Sequence, residues 1–229
     1  MDTWLGEPVY NQRISSSYSY LERLVKGTTT VEMVIKDYVI LAADKRATAG
    51  HYIAHKHVKK ILRVTENIAM TTAGLVADAQ ALADYLKAQA NYYKLLTGRP
   101  MSLRSMAYLL SLLLNESKYF PYIVQLLLGG YDYYKGPQLF AIELFGDVTE
   151  EQYTATGSGS PIAIGVIETR YSPNLDLQEA MELAARAVAS AAMRDVFSGE
   201  GVDVVAIGKE YYKEVTFSRD ELKKLLGRL

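Results

Sequence analysis

The sequence predicts an α+β fold, a layered sandwich in which antiparallel sheets are covered by helices. Three observations carry that prediction. Extended, β-branched segments fill the stretch from Thr28 to Gly74, and after Gly74 the apolar period changes to steps of three and four. The elements then run as strands, two helices, strands, two helices and strands, an order in which grouped strands pair antiparallel and helix pairs cover sheet faces. With 229 residues, 49% hydrophobic and 22% charged, the chain is long and apolar enough to bury one substantial core.

TTTVEMVI, opening at Thr28, reads as the first strand, Lys36-Asp37-Tyr38 as a turn, and VILAADKRAT as the returning strand. HYIAHKH and KKILRV continue the extended character, and Thr65-Glu66-Asn67 turns the chain into IAMTTAG. Leu75, Ala79, Leu82, Leu86, Tyr93 and Leu96 then form a helical stripe that Gly98 and Pro100 stop. Ser102 can cap a second helix reaching about Lys118. Strands return at YIVQLLL, QLFAIEL and EQYTAT. Ser160-Pro161 suits a helix start, since proline lacks an amide hydrogen that would be unpaired there anyway. An alanine-rich helix follows from about Leu177 to Val196, then strands at VDVVAIG and KEVTF. Ser218-x-x-Glu221 forms a capping box for a short final helix. No internal repeat and no linker to a second domain is visible.

The net charge of −1 signals neither nucleic acid nor a membrane surface as a partner. The absence of cysteine removes disulfides, thiolate metal sites and cysteine nucleophiles. MAYLLSLLL, the most apolar run, is too short for a membrane span. Residues 1–27 are polar and serine-bearing, unlike a secretory signal, so a cytoplasmic protein with a loosely structured leader is expected.

His51, His55 and His57 fall in one window, and strand alternation would set them on one face. A closed metal site needs a fourth ligand that no further His or Cys supplies, so exposed strand histidines and no metal are expected. Gly157 to Ser160 reads GSGS, but Ile162 stands where a dinucleotide loop needs its third glycine. Threonine remains. A Thr hydroxyl needs an adjacent base, and a terminal Thr can use its own α-amine, which titrates near ~8. Gly27 before Thr28 then reads as the last residue of a removable leader, because glycine tolerates the bent path of self-cleavage.

GTTTV (from Gly27), LAADKRAT (from Leu41), HKHVKKI (from His55), MTTAGLVADAQ (from Met70), ATGSGSP (from Ala155) and RDVFSG (from Arg194) together resemble a proteasome β subunit of the archaeal type. The resemblance runs from Thr28 through the last strands, with the motifs in order. It implies a four-layer αββα sandwich of two antiparallel sheets, the N-terminal-nucleophile hydrolase fold. It implies residues 1–27 as a propeptide and residues 28–229 as a single hydrolase domain. It further implies ATP-independent, cofactor-free hydrolysis of unfolded proteins inside a closed chamber. The partners implied are other β subunits in a seven-membered ring, flanking α-subunit rings, and a regulatory AAA ATPase acting through the α ring.

Carried over by position, the resemblance makes Thr28 the nucleophile after cleavage at Gly27–Thr28. Lys60 is the cation beside it and Asp44 the partner that orients Lys60. Ser158, Asp195 and Ser198 hold the new amino terminus, and the backbone N–H of Gly74 serves the oxyanion. Arg46 and, through its backbone, Thr48 line the substrate channel, while Ala47, Val58, Leu62, Thr72 and Val76 form a mostly apolar pocket that implies cleavage after hydrophobic residues. The chain departs from the family pattern at Glu32 and Ala77, where glycine is usual, in a long leader, and in an extended YDYYKGPQ segment. A catalytically silent ring subunit is the alternative, and a small-molecule amidase of the same fold a more distant one.

Overall fold

The computed structural model describes residues 27–49 and 52–227. The leader, apart from Gly27, and His51 lie outside the described residues.

Two five-stranded antiparallel sheets form the centre. The first strands, β1 (Thr30–Ile35) and β2 (Tyr38–Asp44), make a hairpin across Lys36–Asp37. They sit in the middle of the first sheet, between β10 (Tyr153–Thr156) on one side and β11 (Val202–Gly208) with β12 (Tyr211–Phe217) on the other. The second sheet runs β5 (Ile61–Arg63), β6 (Ile68–Gly74), β7 (Val124–Asp132), β8 (Gly136–Ile142) and β9 (Val148–Glu150). A separate ribbon pairs β3 (Ala47–Ala49) with β4 (Tyr52–His55).

Each sheet has one face on the other sheet and one on helices, so side chains alternate between two dry environments. Val31 and Met33 of β1 face α3 (Ser160–Glu168) and α4 (Leu177–Ala192), with Ala184, Ala187 and Val188 packed against them. Beneath the second sheet, Met70, Leu126, Leu128 and Phe140 meet Leu82, Leu86, Met106 and Leu110 of α1 (Val76–Thr97) and α2 (Leu103–Glu116). Between the sheets lie Val39, Leu41, Ala69, Val205 and Ile207, with Leu127, Leu139 and Ala141 beside them. The result is the expected four-layer αββα sandwich. Burying each such Leu, Val or Phe contributes roughly 1.5–3 kcal/mol, so the three apolar layers supply most of the cohesion.

The predicted caps form. Ser102 accepts from the Ser105 amide, and Ser218 with Glu221 closes a reciprocal capping box on α5 (Arg219–Leu225). Three boundaries differ from expectation. VILAADKRAT is not one strand: β2 ends at Asp44 because its carboxylate turns back to accept the Arg46 amide, and β3 resumes at Ala47. The alanine-rich helix ends at Ala192, and the amides of Arg194 and Asp195 both return to the Ala191 carbonyl, which turns Asp195 out of the helical path. The strand β9, Val-Thr-Glu, carries no apolar alternation and was not expected.

Candidate active site

Thr28 lies two residues before the start of β1, 2% exposed, at one end of the seam between the sheets. The hairpin register, Thr30 opposite Ala43, sets the residues just before β1 beside Asp44. The Thr29 amide donates to Asp44 Oδ1 at 3.0 Å, and the Asp44 amide donates to the Thr29 carbonyl at 3.2 Å. Lys60 arrives from the second sheet, immediately before β5.

The three polar side chains meet. Lys60 Nζ donates to Thr28 Oγ1 and, at 2.7 Å, to Asp44 Oδ1. The Thr28 hydroxyl donates to the same Asp44 oxygen at 2.7 Å. Asp44 Oδ2 accepts from the amides of Arg46 (3.0 Å) and Gly199 (2.9 Å). A buried carboxylate with this many donors is held in one orientation. Burial pulls the Lys60 amine below its ordinary pKa, and the Asp44 charge offsets part of that pull. A cation so placed stabilises negative charge on the Thr28 oxygen, and its eased deprotonation suits it to proton transfer.

A second cluster stands on the other side of Thr28. Asp195 Oδ2 accepts from Ser158 at 2.6 Å and from Ser198 at 2.5 Å. With its hydrogen spent on Asp195, Ser198 can only accept from the Thr29 hydroxyl, 2.7 Å away. Ser158 also reaches the Thr28 carbonyl at 3.4 Å. A Cβ on Gly27 would fall 2.4 Å from Ser158 Oγ and 2.2 Å from Phe197 Cβ, so this cluster abuts the Gly27–Thr28 peptide.

A cleft opens beside Thr28, lined among others by Arg46, Ala47, Leu62, Thr72, Gly74 and Val76. Gly74 closes β6 with φ +117, and a Cβ there would lie 2.2 Å from the Ile123 carbonyl oxygen, so only glycine fits. Thr72 contributes to this wall a buried hydroxyl that has no partner among the described residues. Arg46 is clamped at its outer end, donating to the Val196 carbonyl (2.8 Å) and to Glu200 (3.0 Å), which also accepts from Arg219 of α5 at 2.9 Å.

Two expected lining residues are not in the cleft wall. Thr48 is buried in the β3–β4 ribbon opposite Ile53, and the Val58 amide is tied to the Lys45 carbonyl. His55 and His57 are exposed, and among the described residues no group of His, Asp and Glu side chains could hold a metal ion. Gln125 escaped the sequence reading, although a lone amide within the apolar run YIVQLLL was its signal. Its Oε1 accepts from the Gly157 amide at 3.3 Å and so braces the turn that carries Ser158. Thr29 was missed because its partners lie far along the chain. Among the described residues, no helix is long and apolar enough to cross a membrane.

A profile of the family described as "Proteasome subunit" matches residues 24–207. The chain is 59% identical over 204 residues to proteasome subunit beta 2 of Hyperthermus butylicus, covering 89% of this chain and 94% of that one. It is 55% identical over 206 residues to proteasome subunit beta 2 of Staphylothermus marinus, covering 89% and 99%. Proteasome subunit beta 1 of Saccharolobus islandicus is 49% identical over 195 residues, covering 85% and 92%. With the four-layer sandwich and these matches spanning most of its length, the chain belongs to the proteasome subunit family.

Proposed function

We propose that this chain is a proteolytic β subunit, a threonine endopeptidase of the proteasome core that becomes active after cutting its own Gly27–Thr28 bond. Its family supports a hydrolase that assembles with other subunits. The observation that carries the finer reading is the convergence of Lys60 and Asp44 on the Thr28 hydroxyl.

In self-cleavage, Thr28 Oγ1 attacks the Gly27 carbonyl carbon as its proton leaves to the adjacent base. The C–O bond forms, the C–N bond breaks as nitrogen takes a proton, and an ester joins Gly27 to the Thr28 side chain. Water then hydrolyses that ester, releasing the Gly27 carboxylate and the Thr28 α-amine. The freed amine stands against Ser158 and Asp195 and serves as base for substrate peptides. Lys60 stabilises the developing alkoxide, Asp44 keeps Lys60 oriented, and the Gly74 amide receives the oxyanion, a contact typically worth ~2.7–4 kcal/mol. The wall of Ala47, Leu62, Thr72 and Val76 favours a hydrophobic residue before the cut.

Its working state on this reading is a seven-membered β ring between α rings in the cytoplasm, fed with unfolded chains through the α ring by an ATPase. Co-assembly with α subunits followed by intact-mass measurement tests the proposal. Loss of residues 1–27 together with peptidase activity is expected, both abolished by Thr28→Ala. A full-length chain in an active particle would overturn self-activation, and a processed but inactive particle would favour a silent architectural subunit.

A further inference from the structure

Three cations, Arg46, Lys59 and Lys60, line the cleft beside Thr28, and among the described residues no carboxylate does. Each of the three is nevertheless paired with one acid outside the cleft lining. Lys60 meets Asp44 at 2.7 Å, Lys59 meets Glu214 at 2.8 Å, and Arg46 meets Glu200 at 3.0 Å. The cleft is therefore balanced electrically by groups that do not form its surface.

The three pairs are not equivalent. Asp44 belongs to the Thr28 cluster already described. Lys59 and Glu214 keep 66% and 37% of their side chains exposed, so water and salt screen their charges. Arg46 and Glu200 keep only 14% and 9%, where screening is weak and either charge alone would be costly. Arg46 is thus the lining cation whose field depends on an acid with no other task.

The backbone shows how firmly that acid is held. Glu200 has φ +70 and, among the described residues, is the one residue other than glycine with positive φ. A Cβ is strained in this conformation, whereas glycine would adopt it freely. The bend persists because Gly199 is fixed beside it. The Gly199 amide donates to Asp44 Oδ2 at 2.9 Å, and its carbonyl accepts from the Lys45 amide at 3.0 Å. The Arg46 guanidinium lies against Gly199, where a Cβ would fall 2.7 Å from Arg46 Cζ. Glu200 Oε1 accepts from Arg46 and, at 2.9 Å, from Arg219, which ties it to the start of α5. Strain kept where glycine would remove it marks the carboxylate as the part that matters.

We propose that Glu200 is a specificity-determining positioning residue: it clamps Arg46 in the cleft wall and cancels its charge, so that the cleft takes apolar residues and rejects acidic ones. The specificity half of this statement rests on the proteolytic function proposed above; the clamp does not.

The test uses full-length chain assembled with α subunits, comparing wild type with Glu200→Gln, Glu200→Ala and Glu200→Gly. Two fluorogenic peptides differ only in carrying Leu or Glu before the cut. Glu200→Gln can still accept from both arginines but carries no charge. It should raise KM for the Leu peptide less than about twofold, yet raise relative kcat/KM for the Glu peptide about fivefold. Glu200→Ala loses the clamp as well and should raise KM for the Leu peptide about fivefold, with kcat within about twofold. Glu200→Gly should match Ala in both respects although its backbone is relaxed; wild-type behaviour in Gly would overturn the proposal. An unchanged Glu-to-Leu ratio in Gln would also overturn it, as would the same shift in an Arg46→Gln background. A wild-type particle without peptidase activity would count against the proteolytic reading alone. Amide exchange at Arg46 and Gly199 would still decide the clamp: at least about tenfold faster in Ala and Gly than in wild type and Gln is expected, and equal rates would refute it.

Discussion

Lys60 Nζ lies 2.7 Å from Asp44 Oδ1, with only 6% of the lysine side chain and none of the aspartate exposed. The pair is asymmetric in what each member keeps if the other is removed. Without Lys60, Asp44 retains the amides of Thr29, Arg46 and Gly199. Without Asp44, the Lys60 amine keeps, among the described residues, the Thr28 hydroxyl alone.

Asp44→Ala should therefore destabilise the subunit by about 3–5 kcal/mol, the cost of stranding a buried charge. Lys60→Ala should cost less, about 1–3 kcal/mol. Both should abolish peptidase activity in the assembled particle. Urea unfolding of the full-length subunit orders the two, and a larger loss for Lys60→Ala would refute the asymmetry.

Gly27→Ala should slow leader removal by at least about tenfold. The added methyl has no room between Phe197 and Ser158, so the scissile peptide must shift from the Thr28 hydroxyl. Mass spectrometry of assembling particles over time reads the rate directly. Processing at the wild-type rate would show that the shift is harmless.

A fluorogenic peptide panel should give the fastest turnover after Leu, Phe or Tyr. Val76→Asp, which places a carboxylate in the cleft wall, should shift preference towards Lys and Arg, with at least about a tenfold change in relative kcat/KM. Best turnover after Asp or Lys in the wild type would contradict the apolar assignment of the cleft.

The burial that raises the Glu32 carboxyl has a thermodynamic signature. Its pKa in the folded chain is raised above the ordinary 4.5, so the folded state keeps a proton that the unfolded chain releases. Stability contributed by this group is complete below about pH 4.5 and is lost as pH rises towards the folded value, at up to ~1.4 kcal/mol per pH unit. Lys60, whose pKa is lowered, acts in the opposite sense at alkaline pH. Subtracting the Glu32→Gln stability curve between about pH 5 and 7 isolates the acid. A flat difference would mean an ionised Glu32. Gly129→Ala should destabilise wild type by about 1–3 kcal/mol through overlap with the carboxyl, but Glu32→Gly much less.

Local pattern made much of this architecture legible. The stop at Gly98 and the Ser218–Glu221 box act within one or two turns of chain and appear where expected, and the stripe from Leu75 buries Ala79, Leu82 and Leu86 but leaves its last members, Tyr93 and Leu96, exposed. Strand pairing was less legible. Nothing in β1 and β2 says that β10 and β11 will flank them, because those contacts join segments more than 100 residues apart. For the same reason Thr29–Ser198 was invisible, while Asp44 and Lys60, unlike Thr28, could be singled out only through resemblance. Glu32 was noticed as a departure, but its setting depends on an absent side chain at Gly129 in the facing sheet.

The first sheet sets β1 and β2 among strands drawn from the far end of the chain, and Asp195, Ser198 and Gly199 close the pocket around Thr28. A polypeptide still emerging from the ribosome lacks these pieces until nearly nine-tenths of it has been made. On the proposed reading, the Thr28 hydroxyl is thus born inert, and translation itself acts as the timer that keeps a half-made chain from cutting itself.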